Sequence, residues 1–412
     1  MSNIPPYSPL QLHVPEPSRR PGEEADFQDG TLNEAGAVRR PDPVSAPADM
    51  RDLAFSLIRV LDDNGSAVGP WNPSLHNETL LRGLRAMLLT RAFDDRMYRA
   101  QRQGKTSFYM KCTGEEAIAC AQAMALDPKD MCFTTYRQQG ILITRGYPLV
   151  AMMNQIYSNE QDTLKGRQLP VLYSARDYGY FTLSGNVGTQ YCQAVGWAMA
   201  SAYRHDTRLA STWIGDGSTA VGDFHHALTF AAVYRAPVIL NIVNNQWAIS
   251  SFQGIAGGDA TTFAARGIGY GLPSLRVDGN DFLAVYAATQ WAVSRARSNL
   301  GATVIELYTY RAAGHSTSDD PTKYRAAEGK SGWPLGDPID RLQRHLQASG
   351  ALTQKQFEQL SAEVTEEVRA AGAASEAIGT LGKSRPTVES MFDDVFAEPD
   401  WRLAQQRKEI GV

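Results

Sequence analysis

The chain has 412 residues, 43% of them hydrophobic, and its 40 basic and 44 acidic residues leave a formal net charge of −4. That length accommodates one large α/β domain or two to three smaller ones with a substantial core, and the near-balanced charge excludes a long-range field that would favour nucleic acid or an anionic membrane. The four cysteines, Cys112, Cys120, Cys132 and Cys192, form no Cys-x-x-Cys pair and have no histidine at zinc spacing, so they read as buried thiols of a reducing compartment. No run approaches 18 apolar residues and no basic-then-apolar leader opens the chain, so the expected location is cytoplasmic, without membrane contact.

Residues 1–72 form the first region, an extended Pro-rich arm: prolines stand at 5, 6, 9, 15, 17, 21, 41, 43 and 47 with almost no periodic apolar pattern, so the arm has no core of its own. Ser74 reads as the N-cap of a long helix in which Leu80, Leu81, Leu84, Met87 and Leu88 recur at helical spacing, ending before Gly104. A second helix is expected from about Gly114 to Asp127-Pro128. Short β-branched and aromatic runs then follow ("MCFTTY", "RLASTWIG", "PVILNIV", "SLRV", "ATVIELYTY"), separated by helical stretches, the pattern of crossover βαβ units and of a mostly parallel sheet with helices on both faces. This α/β domain spans 73–336. Its last part, from Arg311 to Gly336, is a loop without apolar periodicity, and loops that long are commonly functional. The region 337–412 is expected to be helical, with helices over Asp337–Leu346, Thr353–Val368 and Thr387–Gln406.

The stretch "GDGSTAVGDF" (215–224) carries the chemistry. It follows a strand at 208–214 and opens a helix at about 219–234, with the next strand at 237–243 leading into "NNQWAIS". Carboxyl ends of neighbouring parallel strands face one crevice, so Asp216 and Asn245 converge there although 29 residues separate them. A dinucleotide fingerprint fails, because the third glycine, Gly222, comes two places late, and because an aspartate would repel a bare diphosphate. A divalent cation resolves the conflict: Mg²⁺ takes a few protein oxygens together with phosphate oxygens, and Asp216, Asn245 and the Trp247 carbonyl would supply them. The plainer reading is an ordinary turn whose acid favours the helix dipole.

Gly215-Asp216-Gly217, 26 intervening residues, then Asn244-Asn245 resembles the shared motif of thiamine diphosphate enzymes. "TYRQQG" (135–140), "QAVGWAMA" (193–200), "RVDGND" (276–281) and "GHSTSDD" (314–320) narrow the resemblance to the alpha subunit of the dehydrogenase (decarboxylase) component of 2-oxo acid dehydrogenase complexes, over roughly residues 72–396. "GHSTSDD" and "QRQGKTSFYM" (101–110) look like the branched-chain enzymes.

The resemblance implies a thiamine diphosphate-binding fold and assigns roles. Asp216, Asn245 and Trp247 would hold Mg²⁺; Tyr136 and Arg137 would reach the diphosphate, alongside Gly215, Gly217 and Ser218; Gly185 and Val187 would accommodate the aminopyrimidine. His315 would be the catalytic histidine and would also face the cofactor. Phe108 and Tyr109 would line the acyl pocket, while His225 and His226 are expected to pack or to reach solvent. A structural K⁺ at Ser184, Thr189 and Gln190 stays open, because Gly185-Asn186 departs from the pattern around them. Ser316 stands where mitochondrial relatives are phosphorylated, and Ala326 at their second such position.

The implied partners are a beta subunit that supplies the catalytic glutamate in an α2β2 heterotetramer, a lipoyl-bearing acyltransferase core and a branched 2-oxo acid such as 3-methyl-2-oxobutanoate. Pyruvate or acetoin as substrate, and a non-catalytic metal-diphosphate binding module, are the alternatives. A two-metal phosphohydrolase is disfavoured for want of a second carboxylate cluster.

Overall fold

The computed structural model describes residues 12–24, 32–326, 333–394 and 396–412. Residues 1–11 and 25–31 of the arm, with prolines 5, 6 and 9, and 327–332 of the long loop lie outside the described residues.

Strands β1 (Leu57–Ile58), β2 (Met131–Phe133), β3 (Ala210–Gly215), β4 (Val238–Asn244), β7 (Ser274–Asp278) and β8 (Thr303–Tyr308) form one sheet in the order β1-β7-β8-β4-β3-β2, and a hairpin of β5 (Trp247–Ala248) and β6 (Ser251–Phe252) stands apart. Every pairing within the six-stranded sheet is parallel. The helices are α1 (Asn77–Arg102), α2 (Glu116–Ala125), α3 (Gln139–Thr144), α4 (Leu149–Tyr157), α5 (Thr189–Tyr203), α6 (Gly222–Val233), α7 (Phe282–Arg297), α8 (Pro338–Ala348), α9 (Gln354–Ile378) and α10 (Trp401–Glu409).

The strands are apolar on both faces, as a doubly covered parallel sheet requires. Along β4 and β8, Ile239, Val243, Ile305 and Leu307 join the core shared with α1, α2 and α7. Their neighbours Val238, Leu240, Ile242 and Val304 join a second core with Tyr191, Ala194 and Val195 of α5 and Phe224, Ala227 and Leu228 of α6. Each fully buried branched side chain stabilises the sheet by roughly 1.5–3 kcal/mol relative to exposure.

Three sequence expectations are corrected. Ser74 does not cap α1: it adopts φ 50° in a turn where its N–H donates to Asn72 Oδ1 at 2.9 Å, and the helix begins at Asn77 behind His76. The stretch 387–406 is not one helix but a short 3₁₀ turn at Val388–Phe392 followed by α10, which Asp400 caps just after Pro399. The second helix of that region, α9, runs on to Ile378 through an Ala-rich segment rather than stopping at Val368, as alanine's helix preference allows.

The N-terminal arm is present, and its inner part is strapped to the body. Leu53, Leu57, Ile58 and Trp71 are buried, Trp291 Nε1 donates to the Pro41 carbonyl at 2.9 Å, and Asp281 Oδ2 accepts from the N–H groups of Val60 and Leu61 at 2.8 and 2.6 Å. The sheet takes edge strand β1 from this segment, too short at two residues to show any alternation in the sequence. All four cysteines are free thiols, and no helix of the described residues is long and apolar enough to cross a membrane.

Candidate active site

Register places the site. Gly215 pairs with Val243, and Asn244 with Tyr308, so β3, β4 and β8 end together and the loops beyond them enclose a cleft of about 570 Å³. Tyr136, Arg137, Gly185, Val187, Gly215, Asp216, Gly217, Ser218, Asn245, Trp247 and His315 all line it.

Asp216 is 2% exposed. Its Oδ1 accepts from the Gly217 N–H at 2.9 Å, and its Oδ2 is buried without a partner. Burial pushes its carboxyl up to about 7, against the pull of the Gly217 amide and the Arg311 guanidinium. Gly217 is required here by close approach: a Cβ would lie 2.4 Å from that of Ala248 on β5.

The two asparagines face different ways. Asn244 Nδ2 donates to the buried Glu306 at 2.9 Å and serves the sheet. Asn245 turns into the cleft, where Nδ2 donates to Glu115 Oε1 at 2.8 Å and Oδ1 accepts from the Trp247 N–H at 3.3 Å. The Trp247 carbonyl accepts from Arg311 Nη1 at 3.1 Å.

A basic wall stands nearby. Arg137 donates through Nη2 to the His315 carbonyl at 2.7 Å and lies 3.2 Å from His315 Nδ1, while Arg311 Nη1 lies 3.4 Å from the same nitrogen. Arginine only donates, so Nδ1 is the acceptor and the ring carries its proton on Nε2. Burial, then the charges of Arg137 and Arg311, push the imidazole down to about 3. His315 is therefore a neutral hydrogen-bond donor at physiological pH. Asp319 Oδ2 accepts from the His315 N–H and from the Tyr324 hydroxyl, each at 2.6 Å, and that hydroxyl accepts from Arg311 Nη2 at 2.6 Å. The Tyr136 ring meets His315 edge-on at 5.7 Å between centroids.

The structure does not bring Phe108 and Tyr109 to the cleft. Tyr109 is fully buried with its hydroxyl on Asp94 at 2.6 Å, and Phe108 packs half-buried on the core. Tyr109 still bears on the site, because its N–H donates to Thr317 Oγ1 at 3.1 Å and its carbonyl accepts from the Thr317 N–H at 3.0 Å, two residues beyond His315. Ser184 and Thr189 both bond to Asn186, whereas Gln190 Oε1 has no partner. Ser316 is half-buried, with Oγ accepting from the Ser318 N–H at 3.2 Å, and Ala326 is buried. His225 meets Tyr270 at the surface, at 2.8 Å.

The motifs missed Glu115, Arg311 and Tyr324, and gave no role to Gln138 and Asp319 although both lie inside them. Arg311 and Tyr324 were visible only as residues of the long loop, and nothing in the spacing of "GEEA" marks Glu115 as facing Asn245.

The donor set suits a cation that shares its shell with a ligand. Among the described residues no three His, Cys, Asp or Glu side chains gather into a metal cluster; of the two carboxylates lining the cleft, Glu115 is engaged by Asn245 Nδ2, which leaves the Asp216 carboxylate, the Asn245 amide oxygen and the Trp247 carbonyl as the candidate donors. That is the set Mg²⁺ accepts when phosphate oxygens complete its octahedron. Buried polar atoms without partners also concentrate here: Glu115 Oε2, Gln138 Nε2, Gln190 Oε1, Asp216 Oδ2 and Arg311 Nε. Each costs roughly 1–3 kcal/mol while unmatched, a cost that a polar ligand in the cleft would offset.

Comparison with known proteins matches residues 84–383 to the family described as dehydrogenase E1 component, and residues 8–48 to 2-oxoisovalerate dehydrogenase E1 alpha subunit N terminal. A 2-oxoisovalerate dehydrogenase subunit alpha of Pseudomonas aeruginosa is 62% identical over 407 residues, covering 98% of this chain and 99% of the relative. Mitochondrial 2-oxoisovalerate dehydrogenase alpha subunits of Arabidopsis thaliana and Bos taurus are each 38% identical, over 84% and 86% of this chain and 73% and 77% of theirs.

Proposed function

The chain belongs to the dehydrogenase E1 component family, and from that premise we propose that it is the alpha subunit of a branched-chain 2-oxo acid dehydrogenase that decarboxylates 3-methyl-2-oxobutanoate and related acids. The carrying observation is the unmatched, buried Asp216 carboxylate opposite Asn245 at the ends of β3 and β4. It asks for a cation, and a cation between Asp216 and the arginines asks for a diphosphate. The full-length likeness to 2-oxoisovalerate dehydrogenase alpha subunits favours branched acids over pyruvate or acetoin. A pure binding module would have no use for a neutral imidazole held by two guanidinium groups beside the same cleft.

In this reading Asp216, Asn245 and the Trp247 carbonyl hold Mg²⁺. Tyr136 and Arg137 take the diphosphate with Gly215, Gly217 and Ser218, the arginine fork suiting phosphate oxygens, and Gly185 and Val187 adjoin the aminopyrimidine. Thiamine diphosphate supplies the carbon nucleophile and the electron sink for decarboxylation. His315 offers its Nε2–H to the reacting oxygen or to the lipoyl sulfur. The beta subunit provides the glutamate that activates the cofactor, within an α2β2 assembly that delivers the acyl group to a lipoyl-bearing acyltransferase core. Free cysteines throughout suit the reducing cytoplasm.

His315→Ala in the co-expressed α–β assembly tests the role of the loop. We expect cofactor affinity within a few-fold of wild type and lipoyl acylation reduced by about 10²–10⁴. Wild-type acylation by the variant would refute the assignment.

A further inference from the structure

Glu115 belongs to none of the motifs that identify the cleft, yet it joins the two sides of the site. It is 1% exposed at the start of α2 and makes no side-chain cap there. Oε1 accepts from Asn245 Nδ2 at 2.8 Å and lies 4.0 Å from Arg137 Nε, and Oε2 has no partner. A buried carboxylate with one idle oxygen is costly, and its own helix gives it no bond in return.

The chemistry of the contact explains its position. An asparagine amide can turn over and exchange oxygen for nitrogen, and an NH₂ group cannot bind a cation. A carboxylate only accepts, so Glu115 can receive nothing but Nδ2, which leaves Oδ1 as the atom Asn245 offers on its other side. The same carboxylate keeps Arg137 alongside. We propose that Glu115 is a positioning residue: it fixes the Asn245 amide with its oxygen toward a divalent cation and holds Arg137 in step with it for the diphosphate. Outer partners of this kind orient metal ligands and typically change metal affinity by about 10–100-fold. The inference rests on the reading of the cleft as a magnesium-diphosphate site.

The test is binding of thiamine diphosphate to the cofactor-free α–β assembly, followed by calorimetry across a series of Mg²⁺ concentrations. E115A raises the Mg²⁺ needed for half-saturation by about 10–100-fold. E115Q, whose amide oxygen accepts the same bond, stays within about threefold, the scale of one neutral hydrogen bond. N245D sets two carboxylates face to face and binds weakly, and E115Q/N245D, in which the new amide donates to the new carboxylate, recovers at least about tenfold relative to N245D. Circular dichroism and thermal unfolding of each cofactor-free variant report folding separately. Should E115A fail to assemble, the comparison of N245D with E115Q/N245D decides.

The role is overturned if E115A keeps the wild-type Mg²⁺ dependence, if E115Q is as impaired as E115A, or if the double variant recovers nothing. Absence of Mg²⁺-dependent binding in the wild type would instead overturn the reading of the cleft.

Discussion

Replacing Asp216 by asparagine should stabilise the cofactor-free protein while abolishing its response to cofactor. Burial moves the carboxyl from an ordinary 3.8 to about 7, which corresponds to about 4 kcal/mol at 1.36 kcal/mol per tenfold change in proton affinity. Because the folded-state value lies above the unfolded one, the penalty on the native state is absent below about pH 4, grows as pH rises, and is complete above about 7. The amide keeps an oxygen for the Gly217 N–H but leaves an NH₂ unmatched, at roughly 1–3 kcal/mol. The expected net gain is about 1–3 kcal/mol at pH 8, shrinking steadily toward pH 5. Urea unfolding of the cofactor-free α–β assembly, at fixed protein concentration, measures it. Thiamine diphosphate and Mg²⁺ at 100 times Kd should then stabilise the wild type by about 2.7 kcal/mol and the variant not at all. A variant less stable than wild type without cofactor at pH 8, or one that gains equally with cofactor, would refute the reasoning.

The same carboxyl predicts the pH dependence of Mg²⁺ binding: affinity falls toward tenfold per pH unit below about 7, where a proton must leave Asp216, and calorimetry in buffers of different ionisation enthalpy should count one proton released. Gly217→Ala drives a Cβ to within 2.4 Å of Ala248 and displaces the hairpin that presents the Trp247 carbonyl. Cofactor affinity should drop about tenfold or more, whereas Gly196→Ala on α5, with nothing within 4 Å of the new methyl, should leave it unchanged in the same titration. Asp281→Ala removes the cap of α7 and takes one partner from Arg341 and the acceptor from the Val60 and Leu61 amides that follow β1, so unfolding should cost about 3–5 kcal/mol less than in wild type.

The sequence carried the fold wherever local pattern and tertiary burial agreed. β3 and β4 stood out as short runs rich in β-branched and aromatic residues, buried along almost their whole length, and their spacing brought Asp216 and Asn245 to one crevice. Where tertiary contacts decide, the pattern was silent. Strand β1 exists because β7 receives it, and Ser74 yields its cap to a turn fixed by Asn72. The site divides in the same way: residues of the Gly-Asp-Gly and Asn-Asn motifs announce themselves by unusual chemistry between glycines or at a strand end, whereas Glu115 and Arg311 act through partners 130 and 64 positions away, distances at which no local pattern exists. Tyr109 shows the opposite case: an aromatic expected beside the acyl pocket, it keeps its hydroxyl on Asp94 in the core.

The most direct test of the central claim is kcat/KM for 3-methyl-2-oxobutanoate against pyruvate, measured on the chain co-expressed with its beta subunit, with thiamine diphosphate, Mg²⁺ and an artificial electron acceptor. The account predicts a preference for the branched acid of at least about tenfold, the scale of a few added methyl groups in a fitted pocket, and no turnover when either chain is omitted. A preference for pyruvate, or full activity from this chain alone, would contradict it.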